Sequence, residues 1–325
     1  MKIWLRYNLR SMPGAAATRD ICQVALEQAA WADRLGFDSV ALGEHHGAPD
    51  GFDPSPLVFG AALAARTAKL RIHVNALLLP LHDPVRIAED AAMLDNISGG
   101  RLDLTLGIGY VPDELAMFGV AKEERARVMD EKLAVLRRAL AGERFEYRGR
   151  PVYVTPRPVQ QPGPPLFSGG AVLASALRAA RAGDGFCPQV PLPELIDAYR
   201  QECAALGKAP GPVIDVGGPF NILVSEDPEA TWARYGPYAL HEMRSYSRWA
   251  GQGGARSPFS HVETVEQLRS TGVYQVLTPE QCLALARSQR EANRMLTFHP
   301  LTAGMPFELS WASLELFAAK VLPLL

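Results

Sequence analysis

Glu44-His45-His46 stands directly after a short apolar run, Ser39–Leu42. A histidine at such a strand end can act as general base, hydrogen-bond donor or metal ligand, because its proton exchanges near neutral pH. Other strand-like runs also end on polar or glycine-rich residues. Asn75-Ala76 lies in the C-terminal half of Ile72–Leu79, and Gly107-Ile108-Gly109-Tyr110 closes Leu102–Gly107. Ser168-Gly169-Gly170-Ala171 joins the run Leu166–Ser168 to a helical segment. Glycine lets a flat ring or a phosphate approach the backbone. A strand, glycines and a helix start together present free backbone N–H groups to an anion. No metal site is expected. Neighbouring side chains on a strand face opposite ways, so His45 and His46 would not readily share an ion.

These residues need a scaffold that gathers strand ends. Apolar β-rich runs alternate with helical patterns along the chain, which predicts βαβ units and a parallel sheet. Strands are expected at Ile3–Asn8, Ser39–Leu42, Leu70–Leu79, Leu102–Gly107, Leu166–Ser168, Gly185–Pro188, Ile214–Val224 and Met295–Phe298. Helices are expected at Thr18–Leu35, after Pro54 and Pro56, and at Val85–Asn96, Lys122–Ala141, Ala171–Ala182, Glu194–Leu206 and Phe307–Val321. Further helices begin after Asp227-Pro228 and at the capping box Thr278-Pro279-Glu280-Gln281. Arg144–Val154 reads as a hairpin turning at Gly149. The polar, Gly-dotted segment 236–276 shows no clear period and reads as a lid, or as short helices that the pattern does not locate. Strict alternation predicts an α/β fold, a (β/α)8 TIM barrel with insertions, as a single domain over 1–325. A doubly wound open sheet is the alternative. In a parallel α/β protein the strand C-termini are where ligands bind.

Length and composition agree with that class. The chain has 325 residues, 48% hydrophobic and 21% charged, with a formal net charge of −2. No basic field exists to hold nucleic acid or an anionic membrane surface, and no apolar run approaches the roughly 20 residues that span a bilayer. The N-terminus is too short and too charged for a signal peptide. The four cysteines, Cys22, Cys187, Cys203 and Cys282, lack metal-ligand spacing and are expected as free thiols in a reducing cytosol. A cytoplasmic location follows as the expectation.

Taken in order, Glu44-His45-His46, Asn75-Ala76, Leu79-Pro80-Leu81-His82-Asp83-Pro84, Ser98-Gly99-Gly100-Arg101, Gly107-Ile108-Gly109-Tyr110 and Ser168-Gly169-Gly170 closely resemble the bacterial luciferase-like flavin monooxygenases. The likeness is dense over 30–119 and 158–185. It implies a barrel that binds reduced FMN, or a deazaflavin in a sister branch, at the strand C-termini. It implies a cis peptide at Asn75–Ala76 that supports the flavin ring. Cofactor contacts would come from Asn75, Ala76, Gly107, Ile108, Gly109, Tyr110, Ser168, Gly169, Gly170 and Ala171. His45 would manage protons, with Glu44, His46 and Tyr110 orienting.

The implied reaction uses reduced FMN from a separate flavin reductase and O2, through a flavin 4a-hydroperoxide, to oxidise a small aldehyde or ketone. A homodimer packed through the second and third helices is also implied. Two departures stand out. Ile108 replaces the family's common phosphate-binding Arg, and Ala171 and Val172 replace serines. Arg178 and Arg181 are the alternative sources of charge. Rival readings are a deazaflavin-dependent hydride-transfer enzyme, a non-catalytic flavin-binding homologue, and a barrel hydrolase without cofactor.

Overall fold

Six helices begin with proline at their first position: Pro56, Pro84, Pro112, Pro193, Pro228 and Pro279. The missing proline N–H is one that no helix could satisfy there, so each proline starts a helix without loss. The computed structural model describes residues 1–325. In chain order the elements are β1 (Lys2–Tyr7), α1 (Thr18–Arg34), β2 (Ser39–Leu42), α2 (Pro56–Arg66), β3 (Arg71–Leu77), α3 (Pro84–Ser98) and β4 (Leu102–Leu106). Then come α4 (Pro112–Met117), α5 (Arg125–Leu140), β5 (Phe145–Tyr147), β6 (Arg150–Val152), β7 (Leu166–Gly170), α6 (Leu173–Ala182), β8 (Gly185–Pro188) and α7 (Pro193–Ala205). The chain ends with β9 (Asn221–Val224), α8 (Pro228–Gly253), α9 (Val265–Ser270), β10 (Tyr274–Leu277), α10 (Pro279–Glu291), β11 (Met295–Phe298) and α11 (Phe307–Lys320).

Two compact units emerge. The first comprises Met1–Ala41, His45–Pro54 and Asp215–Leu325; the second comprises Leu42–Glu44 and Ser55–Ile214. In the first unit β1 runs parallel to β11, Lys2 opposite Met295 and Leu5 opposite Phe298. There β9 and β10 also pair in parallel, Asn221 opposite Tyr274. Its core gathers Leu223, Trp232, Tyr235, Ala239, Met243, Leu268 and Tyr274. In the second unit β3, β4, β7 and β8 form consecutive parallel pairs, with a register irregularity between Asn75 and Leu77. Ala176, Ala179, Phe186, Leu195 and Tyr199 pack under that sheet. The hairpin β5–β6 turns through Arg148 and Gly149, both at positive φ. No helix is long and apolar enough to cross a membrane.

Three expectations need correction. The strand foreseen at Ile214–Val224 is confined to Asn221–Val224. A short helix, α4, precedes the long helix foreseen at Lys122–Ala141, which itself starts at Arg125. Segment 236–276, read as a lid or as short helices, does hold helix, but most of it is the continuation of the long α8, followed by the short α9 and most of the unforeseen strand β10. Gly236-Pro237 lies inside the helix, where an interior proline removes one helical hydrogen bond. Yet Trp232, Tyr235, Ala239, Glu242, Met243, Tyr246 and Ala250 form one buried stripe at helical spacing, and its packing carries the helix through Pro237.

Candidate active site

In the second unit the C-terminal ends of β3, β4 and β7 carry the residues singled out by sequence. The Asn75–Ala76 peptide is cis, as the family resemblance implied. Asn75 Oδ1 accepts from Gln189 Nε2 at 3.3 Å and lies 3.7 Å from Cys187 Sγ, so β8 steadies this side chain. The Gly107 N–H donates to Leu77 O at 2.8 Å, which ties β4 to β3 just past the cis bond. A side chain at Gly107 would bring its Cβ within 3.2 Å of Ala76 Cβ. Gly107 therefore packs closely against the Ala76 methyl group and the Leu78 side chain, at a point where its own lack of a side chain lets the ends of β3 and β4 approach.

Glu44 is buried, and both its oxygens are used. Oε2 accepts the Leu78 N–H at 2.7 Å, and Oε1 accepts from His82 Nε2 at 2.5 Å. The carboxylate thus holds the chain immediately after the cis peptide. Lys132 Nζ donates to Pro80 O and His82 O and fixes the same turn from α5. The rest of Leu79–Pro84 is scaffold, as expected: Asp83 caps α3 by accepting from the Val85 and Arg86 N–H groups.

Ser168, Gly169 and Gly170 end β7, and Ala171 and Val172 lead into α6. Gly170 has φ +153°, and a Cβ there would meet Ser175 Cβ at 2.5 Å. Ser175 Oγ donates to Val172 O at 2.6 Å. The hydroxyl missing at 171 and 172 therefore has a neighbour one turn along, engaged with backbone. Arg178 pairs with Asp130 at 2.5 Å and Arg181 with Glu202 at 2.8 Å. Both line a groove of about 860 Å³ beside α5 and α6. Ile108 and Tyr110 are half-buried, and Gly109 sits at φ +73°.

In the first unit His45 is buried and set in aromatic surroundings. Its ring stacks on Trp249 with centroids 4.3 Å apart and meets the edge of Phe52 at 4.8 Å. Its backbone N–H donates to Asp53 O at 3.3 Å, and the Asp53 N–H donates to Asn8 O at 2.8 Å, which couples the loop after β2 to the end of β1. His46 is half-buried on the same loop.

Beneath this cage lies a buried polar network that sequence reading missed. Glu242 on α8 accepts from Asn8 Nδ2 at 2.6 Å, Tyr274 OH at 2.8 Å and His299 Nε2 at 3.0 Å. His299 Nδ1 faces Arg6 O at 2.9 Å. Each ring nitrogen of His299 thus meets an oxygen. Burial pushes the Glu242 carboxyl up, but His299 and Arg10 outweigh it and bring the group down to about 2. Asp50 accepts from His241 Nε2 at 2.9 Å. Burial raises Asp50, while the His241 hydrogen bond and the Arg10 charge leave it below its ordinary value. The Tyr246 phenol is pushed up to about 12 by burial and by Glu242, so it stays protonated. Two of these residues carried a readable signal. Arg10 follows β1 and His299 follows β11, each just past a strand end.

Short strands followed by helices, with glycine-rich and polar residues at their C-terminal ends, define an α/β-barrel protein of the kind that carries its site there. The chain belongs to the luciferase-like monooxygenase family, whose profile matches residues 1–294. It superposes on the crystal structure of monooxygenase RslO1 from Streptomyces bottropensis with a TM-score of 0.82 and 28% identity, over 99% of each chain. It also shares the fold of a type II Baeyer-Villiger monooxygenase from Pseudomonas putida, solved in complex with FMN. That likeness has a TM-score of 0.75 and 18% identity, over 99% of this chain and 98% of that one. In sequence it is 33% identical over 176 residues to the 4-hydroxyprotoasukamycin monooxygenase of Streptomyces nodosus subsp. asukaensis. That match spans 52% of this chain and 46% of the relative, so the chain matches about half the length of such relatives.

Proposed function

We propose that this chain is a flavin-dependent oxidoreductase of the monooxygenase type, acting as one barrel domain on a small aldehyde or ketone with reduced FMN and O2. The observation that carries the reading is the close approach of Gly107, which has no side chain, to Ala76 at the C-terminal ends of β4 and β3. Asn75, Ala76, Gly107, Ile108, Gly109 and Tyr110 would hold the ring and its chain. Ser168, Gly169, Gly170 and Ala171 would hold the phosphate through backbone N–H groups. When bound, the flavin supplies oxygen activation and the electrons for it.

The protein's own work is positioning and proton handling. Glu44 fixes the backbone at Leu78, and through His82 it fixes the turn that follows. His45 is assigned proton transfer at its ring nitrogens, with its orientation set by Trp249 and Phe52. His46 is assigned to the orienting shell. A separate flavin reductase would supply the reduced cofactor. A homodimer is supported by exposed apolar side chains on α2 and α3, namely Val58, Met93 and Ile97. The last turns of α8 and the residues up to β10 are the candidates for a closing segment.

The test is anaerobic titration with reduced FMN, then addition of oxygen while the absorbance spectrum is recorded. Binding followed by a long-lived oxygen adduct supports the reading. Failure to bind FMN together with binding of a deazaflavin coenzyme would replace it, and would make Ile108 and Ala171 marks of a cofactor change.

A further inference from the structure

The Arg10 side chain is fully buried, yet none of its three side-chain nitrogens has a hydrogen-bond partner. Its Nε lies 3.4 Å from Asp50 Oδ2, a charge contact without a hydrogen bond. Its guanidinium carbon sits 5.0 Å from the Phe52 ring centroid, 4.8 Å from Tyr246 and 4.9 Å from Trp249. Aromatic faces stabilise the cation but accept none of its in-plane hydrogens. A buried donor left unmatched is costly, and a buried charge more so. Native proteins rarely retain such groups without a use for them.

The neighbouring carboxylates do not supply the missing acceptors. Glu242 is committed to Asn8, Tyr274 and His299, and Asp50 Oδ2 to His241. The other groups facing the cage are the imidazole of His45 and the phenol of Tyr246. Asp50 Oδ1 is buried without a partner as well. The cage therefore offers a planar donor fork, one free acceptor beside it and flat aromatic walls. Trp249, half-buried, forms the outer wall. A guanidinium fork matches two coplanar oxygens better than it matches a single hydroxyl.

We propose that Arg10 is the specificity-determining residue of this site, and that it takes a planar substrate bearing a carboxylate, or an equivalent delocalised oxyanion, next to a hydroxyl. The oxyanion accepts from Arg10 Nη1 and Nη2, the hydroxyl donates to Asp50 Oδ1, and the ring packs among the aromatic side chains beside His45. Calling this occupant a substrate rests on the oxidoreductase reading above; its binding chemistry does not.

The experiment is calorimetric titration of the flavin-free protein with 3-hydroxy-2-naphthoate and with 2,3-dihydroxynaphthalene, which keeps the ring and hydroxyl but lacks the carboxylate. The acid should bind at least tenfold more tightly, and R10M should abolish that preference while far-UV circular dichroism and thermal unfolding stay near wild type. Should R10M not fold, R10K decides. It keeps the charge and loses the fork, so the preference should fall at least threefold. Equal binding of the two probes, no binding of the acid, or an unchanged preference in the folded variant would overturn the proposal. Reduced-FMN binding measured on the same samples separates this outcome from failure of the cofactor reading.

Discussion

Replacing Glu242 by Gln removes one charge from the first unit and nearly preserves the side chain's shape. The carboxylate is fully buried and serves Asn8, Tyr274 and His299. Its shift from the ordinary 4.5 to about 2 sets the scale of the effect. At 1.36 kcal/mol per unit, the charged form contributes about 3 kcal/mol to folding near pH 7. That is a large share of the roughly 5–15 kcal/mol by which a domain is stable. The pH dependence follows from the direction of the shift. A carboxylate held below its ordinary value contributes fully above pH 4.5, and the contribution disappears as pH falls towards 2. E242Q should therefore be about 3 kcal/mol less stable than wild type at pH 7, and only about 1 kcal/mol less stable at pH 3. Urea unfolding followed by tryptophan fluorescence at several pH values measures both. A difference below 1 kcal/mol at pH 7, or one that does not shrink with acid, would refute the claim that the charge on Glu242 organises this network.

Two further outcomes concern the proposed chemistry. His45→Ala should leave reduced-FMN binding within twofold and lower product yield at least tenfold, since positioned acid–base groups typically contribute roughly 10²–10⁴-fold; turnover equal to wild type would remove His45 from the mechanism. Gly170→Ala meets both an unfavourable φ of +153° and a 2.5 Å contact with Ser175 Cβ. It should cost about 1–3 kcal/mol in a urea melt and weaken reduced-FMN binding at least tenfold, and unchanged values for both would show that this cradle tolerates a side chain.

Local features with their own sequence signal were legible. Ser39–Leu42 and Gly185–Pro188 are bounded as the run of apolar residues implies, and the capping box at Thr278 is present with Gln281 closing it. The long helix α8 was hidden because Gly236-Pro237 imitates a break, and because Glu242 interrupts the apolar stripe with a charge that only tertiary partners explain. The strand β10, Tyr274–Leu277, sits between α9 and α10 and carries Gln275 inside its apolar run, so it does not stand out from its flanks. Within the candidate site, the strand-end rule located Glu44, Asn75, Gly107 and Ser168. The cis bond at Asn75 came from family resemblance, since composition carries no trace of it. The cage was out of reach for a different reason. Arg10, His45 and Trp249 lie far apart along the chain, and no local pattern announces that they meet.

One element, α8, places Trp232, Tyr235, Ala239 and Met243 in the core, Glu242 in the buried network, and Tyr246 and Trp249 around the Arg10 guanidinium. Inheritance must treat these as one trait. A substitution that reshapes the cage from α8 also perturbs the folding of its unit, so most such changes are lost before their effect on substrate choice is tested. Divergence in substrate preference among close descendants of this chain should therefore leave α8 to change slowly and in compensated pairs.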